Sequence, residues 1–464
     1  MTAGRFAIHG HFYQPSRRDP FTGQPLPEPA AAPYRDWTSR ITDESYAPNA
    51  QLGNFGRIGW DIGPTLAREL RLEHPDLHAL ISSQEDGRNG MGQGYHHAIL
   101  PLSSLRDRRT EIRWGLRDFE LRYGHRPAGL WLPETAVDLT TLRICAEQGV
   151  RYTILAPWQG AGPELDTRHP HRVEVGGGRS IIVCFYDRVL STALSFEPHE
   201  TADADRFTNE RILPRVRDAA ATPDGAPLVL LATDGELYGH HHDFRDLFLS
   251  RLTTSPLPDG VERASLGRLL DGTTAADVPI ARIVERTSWS CHHGVARWSA
   301  ECPDAPDGRW KGPLRGAFDR LAGGVDALAL QLARSLKLDL WAARDGYVDV
   351  VSGFAEADDW VTGWLGDNAP ERSAILGPLL RAQEARLSMF VSDAWYWDDP
   401  SRPETAQAMR FAALAARTMD ELAGSFLEAQ LVEDLRPLRS PLTGQDGAAL
   451  YREALRSVGQ PPPR

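Results

Sequence analysis

The chain has 464 residues, 41% hydrophobic and 25% charged, which is room for two or three domains or for one large barrel with an appendage. Fifty-one basic against 63 acidic residues leave a formal charge of −12, which argues against a nucleic-acid polyanion as main partner and suits a neutral one. No run approaches the ~18 apolar residues of a membrane helix, and the N-terminus has no long apolar signal segment, so no membrane partner is expected. Four cysteines are too few for a disulfide framework, and a reducing cytoplasm is the expected location. Oligomeric state is not legible in the sequence.

In chain order, residues 5–8 read as a strand running into His9-Gly-His11, and alternation places both histidines on one side. Residues 16–50, rich in Pro, Asp and Arg, read as one long functional loop. A helix is expected over 64–73, a helix or strand over 77–82, and a helix over 110–123 with Ile112, Leu116 and Phe119 on its apolar face. Short aliphatic runs at 130–132, 152–155, 181–186 and 228–232 read as parallel strands buried on both faces. Asp138 and Asp243 stand where helices over 139–149 and 244–252 would begin. Beyond about residue 275 the rhythm becomes helical, over 314–340 with a possible break at Gly323-Gly324, then over 374–390 and 404–431. The expected fold is therefore α/β, a barrel over 1–275 followed by a helical domain over 276–450, with 451–464 as a disordered tail.

Two carboxylates stand just past strands: Glu134 in Gly129-Leu-Trp-Leu-Pro-Glu134, and Asp234 in Leu230-Leu-Ala-Thr-Asp234-Gly-Glu236. The carboxyl ends of strands form the reactive face of barrels. Breaking a glycosidic bond needs one carboxylate at the anomeric carbon and another group to protonate the departing oxygen. Pro133 stiffens the turn before Glu134, and Trp131 could stack on a sugar face, which suits Glu134 as nucleophile. Glu236, two residues on, would raise the pKa of Asp234 toward that of a general acid. His9, His11, Gln14, His97 and His240 are candidates for hydrogen bonds to sugar hydroxyls, and Trp289, Trp395 and Trp397 for aromatic platforms. Cys291, His292, His293 and Cys302 lack the paired spacing of a zinc motif, so neither metal nor cofactor is expected.

His9-Gly-His-Phe-Tyr-Gln-Pro15, Trp131-Leu-Pro-Glu134 and Asp234-Gly-Glu-Leu-Tyr-Gly-His-His241 resemble ordered motifs of glycoside hydrolase family 57. Tyr95-His-His-Ala-Ile-Leu-Pro-Leu102, Thr287-Ser-Trp-Ser-Cys-His-His-Gly294 and Met389-Phe-Val-Ser-Asp-Ala-Trp-Tyr-Trp-Asp398 resemble its branch with a C-terminal domain of unknown function. The resemblance, over about residues 5–430, implies a distorted (β/α)7 barrel with a helical domain over the cleft. It implies a retaining hydrolase or transglycosylase acting on an α-linked oligo- or polysaccharide, an α-glucan first, with Glu134 as nucleophile and Asp234 as acid/base. By the same matching, His9, His11, Trp131 and Glu236 hold sugar near the cleavage point. His96 departs from the Tyr-Asn-His expected there. A metal-dependent carbohydrate deacetylase and a non-catalytic glycan-binding protein are the alternatives.

Overall fold

The computed structural model describes residues 4–162, 165–220, 227–366 and 370–456. They form two compact units. The first gathers residues 1–14, 28–95 and 119–290, and the second gathers 15–27, 96–118 and 291–464.

The first unit is built on parallel strands β1 (Gly4–Phe12), β2 (Gly59–Ile62), β3 (Gly90–Gln93), β4 (Leu130–Trp131), β5 (Tyr152–Leu155), β6 (Arg179–Phe185) and β7 (Leu228–Asp234). β7 pairs with β1, which pairs with β2, then β3 and β4 follow in order. A parallel bridge from Gly129 to Tyr152 carries the sheet to β5, and β5 pairs with β6. The Asp187 N–H then donates to Leu230 O at 2.6 Å, bringing the end of β6 back to β7. The chain has curled its sheet into a (β/α)7-type barrel: the strand and helix rhythm predicts an α/β barrel, and the family resemblance implies the sevenfold form.

Side-chain alternation divides this unit into an interior and an outer layer. Phe6 and Ile8 of β1 join Val229 and Leu231 of β7 in one core cluster with Trp60, Phe119 and Leu249. Ala7 joins Leu228, Leu230 and Ala232 in the other, with Met91, Trp131, Ile154 and Ile182. His9 and His11 continue the line of Ala7, and Asp234 continues that of Ala232. One face of each strand is thus apolar at its start and ionisable at its carboxyl end.

The helix Pro64–Glu73 has the bounds its pattern predicts, and 77–82 resolves into the helix Pro75–Ser82. Asp138 caps the helix Leu139–Glu147, accepting from Thr141 N at 2.7 Å. Asp243 does not cap its helix. Phe244 (φ 63°) turns the chain there, and the helix is Arg245–Thr254 with no side-chain cap. The loop over 16–50 contains the short helices Trp37–Ile41 and Ala47–Gln51.

The second unit is helical, led by Lys311–Ser335, Pro370–Ser388 and Pro403–Ala423. Gly323-Gly324 does not break the first of these. A Cβ on Gly324 would lie 2.7 Å from Leu427 Cδ2, so the glycine admits a neighbouring side chain rather than a kink. The expected helix over 404–431 stops instead at Ala423, where Gly424 (φ 63°) takes the left-handed cap conformation, and the chain resumes as Leu427–Leu435. A fully buried Arg344 ties this unit together, reaching Asp107 at 3.2 Å, Gln383 at 3.0 Å and Thr110 at 3.0 Å. The expected tail from 451 begins inside the helix Gly447–Arg456, and residues 457–464 lie outside the described residues.

Candidate active site

The site grows from the carboxyl ends of β1, β2, β3, β4 and β7. Register aligns His11 with Asp61 on one side and with Asp234 on the other, and aligns Gln93 with Trp131. Asp61, fully buried, accepts from both histidines: His9 Nε2 lies 2.8 Å from Oδ1, and His11 Nδ1 lies 2.8 Å from Oδ2. Gln93 Nε2 donates to the same Oδ2 at 2.8 Å. The two histidines share one carboxylate because they lie on the same side of β1.

Burial opposes a charge on His11, but the adjoining Asp61, with Asp234 and Glu236 beyond it, raises its pKa to about 9. A cation therefore stands among the carboxylates at neutral pH. Asp234 is open to solvent at the tip of β7, yet enclosed closely enough that desolvation pushes its carboxyl above the usual range. His11 opposes that push and solvent contact moderates it. Glu236 is buried, and desolvation carries it up to about 7 despite the hydrogen bond from Tyr46. Its Oε1 accepts from Tyr46 Oη at 2.6 Å and from Tyr13 N at 3.1 Å.

Glu134 sits on a strained turn. Its φ is 57° and that of Thr135 is 47°, a conformation that a β-branched residue rarely adopts. Gln159 holds the turn in place: its Oε1 accepts from Thr135 Oγ1 at 2.8 Å, and its Nε2 donates to Thr135 O at 2.8 Å. A segment from far along the chain completes the wall. Val137 bridges Thr287, and Trp289 N donates to Glu134 O at 3.1 Å. Ser290 Oγ then donates to Glu134 Oε2 at 2.6 Å, and Trp289 Nε1 to the same oxygen at 3.1 Å. Desolvation raises the pKa of Glu134 and nearby Asp234 adds to it, while Ser290, His11 and Trp289 pull it down.

Several expected sugar contacts sit elsewhere or play another part. Trp131 is fully buried, with His9 stacked at 5.2 Å and His11 at 4.8 Å, so its ring supports the histidines instead of offering a face to sugar. His9 is fully buried behind His11 and bonds Asp61, where Gly59 leaves it room: a Cβ there would come within 3.1 Å of His9 Nδ1. Trp289 is half-buried and meets Trp131 edge-on at 5.0 Å. Gln14 follows Tyr13, and its carbonyl accepts from Thr65 Oγ1 at 2.6 Å. His240 pairs with Glu44 at 2.5 Å.

Three candidates belong to the second unit. His97 (φ 55°) is buried against Ser392, Nδ1 to Oγ 2.7 Å. Trp395 is fully buried: Phe390 stacks on it at 6.2 Å, Arg315 covers the ring at 5.0 Å, and its indole donates to Lys311 O at 3.3 Å. These contacts make it a core side chain, and its expected place as an open platform is corrected accordingly. Trp397 is 40% exposed, with Arg402 over its ring.

Sequence reading missed Asp61, Gln93, Tyr46, Gln159 and Ser290. Asp61 left one trace, a lone carboxylate in the short apolar run Gly59-Trp-Asp-Ile62. Ser290 stands in the Thr287–Gly294 motif beside Trp289, and Gln93 stands two residues before Tyr95, but neither position marks a role by itself.

Known proteins resemble the chain in sequence and in fold. Residues 79–270 match the model of glycosyl hydrolase family 57, and residues 307–459 match a domain of unknown function, DUF3536. No curated protein matches the chain in sequence. Among solved structures, an exo-type maltose-forming amylase from Pyrococcus sp. ST04 superposes with a TM-score of 0.74 at 16% identity, covering 98% of this chain and 88% of that one. A branching enzyme of the family from Thermococcus kodakaraensis gives 0.61 at 15% identity, covering 98% and 94%. The α-amylase AmyC from Thermotoga maritima gives 0.59 at 14% identity, covering 98% and 96%. At such identities these structures establish the fold. The matched sequence models add the family: they assign residues 79–270 to glycosyl hydrolase family 57 and residues 307–459 to this domain of unknown function.

Proposed function

We propose that the protein cleaves or transfers α-linked glucan by double displacement, with Glu134 as nucleophile and Asp234 as acid/base. The observation that carries this reading is the treatment of Glu134. Its turn is held in a strained conformation, and both side-chain donors, Ser290 and Trp289, go to Oε2. That leaves Oε1 to attack the anomeric carbon. The nucleophile's charge is stabilised on the other oxygen before reaction, so little reorganisation is needed when the bond forms.

Asp234 then protonates the departing oxygen in the first step and takes a proton from the incoming acceptor in the second. The His11 cation steadies the anionic form of Asp234 between the two steps. When the acceptor is water the outcome is hydrolysis, and when it is a sugar hydroxyl the outcome is transfer. Both pass through the same glycosyl-enzyme ester. The neighbouring structures are those of an amylase and a branching enzyme, which supports α-glucan as the first substrate class to try. Four cysteines without a disulfide among them suit a reducing cytoplasm.

The test is product analysis on a panel of α-1,4- and α-1,6-glucans, β-glucans and acetylated chitooligosaccharides. Turnover confined to α-glucans, with the α-anomer released first, supports the reading. Release of the β-anomer, or of acetate in place of sugar, overturns it.

A further inference from the structure

Directly after Ser290 the chain makes a tight turn, Cys291-His-His-Gly294, closed by Gly294 N donating to Cys291 O at 3.1 Å, with Gly294 at φ 71°. A second turn, Cys302-Pro-Asp-Ala305, is closed by Ala305 N donating to Cys302 O at 2.9 Å. The two turns meet. Cys291, His293 and Cys302 each bring a ligand atom within 4.8 Å of the other two. Asp304 Oδ2 stands 3.2 Å from His293 Nδ1 and accepts from His292 N at 2.9 Å.

We propose that Cys291, His293 and Cys302 bind one zinc ion, with Asp304 holding the imidazole in place. The sulfur spacing is the quantitative support. Two thiolates about 2.3 Å from a tetrahedral zinc lie ~3.8 Å apart, and the Sγ–Sγ distance here is 3.8 Å. A disulfide would require about 2.05 Å and would give no reason for a histidine and a carboxylate to converge on the same point. Each turn supplies a cysteine and, two residues on, a second polar group. This is a layout that local spacing rules do not recognise, because the two halves are joined by tertiary contact.

One cation stands near the two sulfurs. The Lys311 ammonium, fully buried, is anchored on Arg297 O at 2.8 Å and lies within electrostatic reach of both sulfurs. Cys291 and Cys302 are buried, while His293 is exposed, so the ion has a route from solvent. Binding releases the two thiol protons to solvent and involves no change of oxidation state. The ion would close the loop between Cys291 and Cys302. It has no part in the proposed glycosidic chemistry, and its test is independent of that reading.

The test uses the full chain, reduced, stripped with chelator and desalted. On titration with cobalt(II) it should develop thiolate-to-metal charge-transfer absorption and the visible bands of a tetrahedral site, both abolished by one equivalent of zinc. Elemental analysis should find zinc at one per chain after desalting. Asp304→Asn should weaken zinc by about 10–100-fold, as loss of a carboxylate behind a ligating histidine does. Cys291→Ser and Cys302→Ser should each lose the cobalt spectrum. Because either could disturb folding, alkylation of the unmodified chain provides a second readout. Zinc should protect Cys291 and Cys302 and leave the labelling of Cys145 and Cys184 unchanged. Absence of the cobalt–thiolate band, or zinc that neither survives desalting nor protects these two thiols, would overturn the site. So would a Cys291–Cys302 disulfide in the protein as purified that takes up no zinc after reduction.

Discussion

Ser290 Oγ donates to Glu134 Oε2 at 2.6 Å, across a sequence separation that no local pattern links. The bond joins the turn of Glu134, the proposed nucleophile, to the segment that also supplies Trp289. Glu134→Gln should lower kcat by ~1000-fold or more with the circular dichroism spectrum unchanged, because the covalent step is lost. Ser290→Ala removes one hydrogen bond to a charged oxygen, worth about 1.5–3 kcal/mol, and should lower kcat ~10–100-fold. Wild-type turnover in the serine variant would mean that this bond does not matter to the reaction.

Replacing Asp234 should separate substrates by leaving group. Asp234→Asn should slow natural glucan far more than an activated aryl glycoside in the glycosylation step, since only the natural leaving group depends on protonation. Equal slowing of both would send the search for the acid elsewhere, with Glu236 first in line. A ligand-bound crystal structure should show the carboxyl groups of Glu134 and Asp234 roughly 5–5.5 Å apart, as retention requires.

Glu236 links stability to pH. Its carboxyl is carried from 4.5 up to about 7 in the fold, first by burial. The folded chain therefore holds its proton where the unfolded chain has released it. This contribution to stability is complete below pH 4.5 and is lost as pH rises through 7. The Tm difference between Glu236→Gln and the wild type should shift in favour of the variant over that window and level off above it. A difference that stays flat would mean that Glu236 titrates normally. His11, raised from 6.5 to about 9, adds a decline of the same sign over its own window.

The Glu134–Thr135 turn depends on Gln159. Gln159→Leu deletes both of its hydrogen bonds to Thr135, and residues held at such positive φ carry about 1–3 kcal/mol of strain each. We expect kcat to fall while KM changes little, because the turn places the nucleophile and does not grip the sugar. A rise in KM with kcat preserved would assign Gln159 to substrate binding instead.

Trp395 and Trp397 should part company on stability. Trp395→Ala empties a fully buried site and should cost ~3–5 kcal/mol, read as a lower midpoint in denaturant unfolding. Trp397→Ala removes a 40% exposed ring and an arginine stacked on it, worth about 0.5–1 kcal/mol. Similar midpoints for the two variants would contradict this placement.

The sequence by itself determined what is local and periodic. The aliphatic runs marked β4, β5, β6 and β7 because burial on both faces writes a continuous apolar run into adjacent residues. Glu134 and Asp234 were legible because each directly follows such a run. Helical spacing after residue 275 was equally plain, though not its punctuation: Gly424 ends a helix and Gly324 does not. One stands at a left-handed cap and the other against Leu427, and a bare glycine in a sequence looks the same in both. Only the tertiary structure decided which side chains meet. Asp61 joins His9 and His11 because strand register brings it beside them. Gln159 and Ser290 reach the Glu134 turn from elements far along the chain. It also decided the fate of the aromatics. Whether a tryptophan faces sugar or core depends on which neighbours cover its ring: two imidazoles for Trp131, and Phe390 and Arg315 for Trp395.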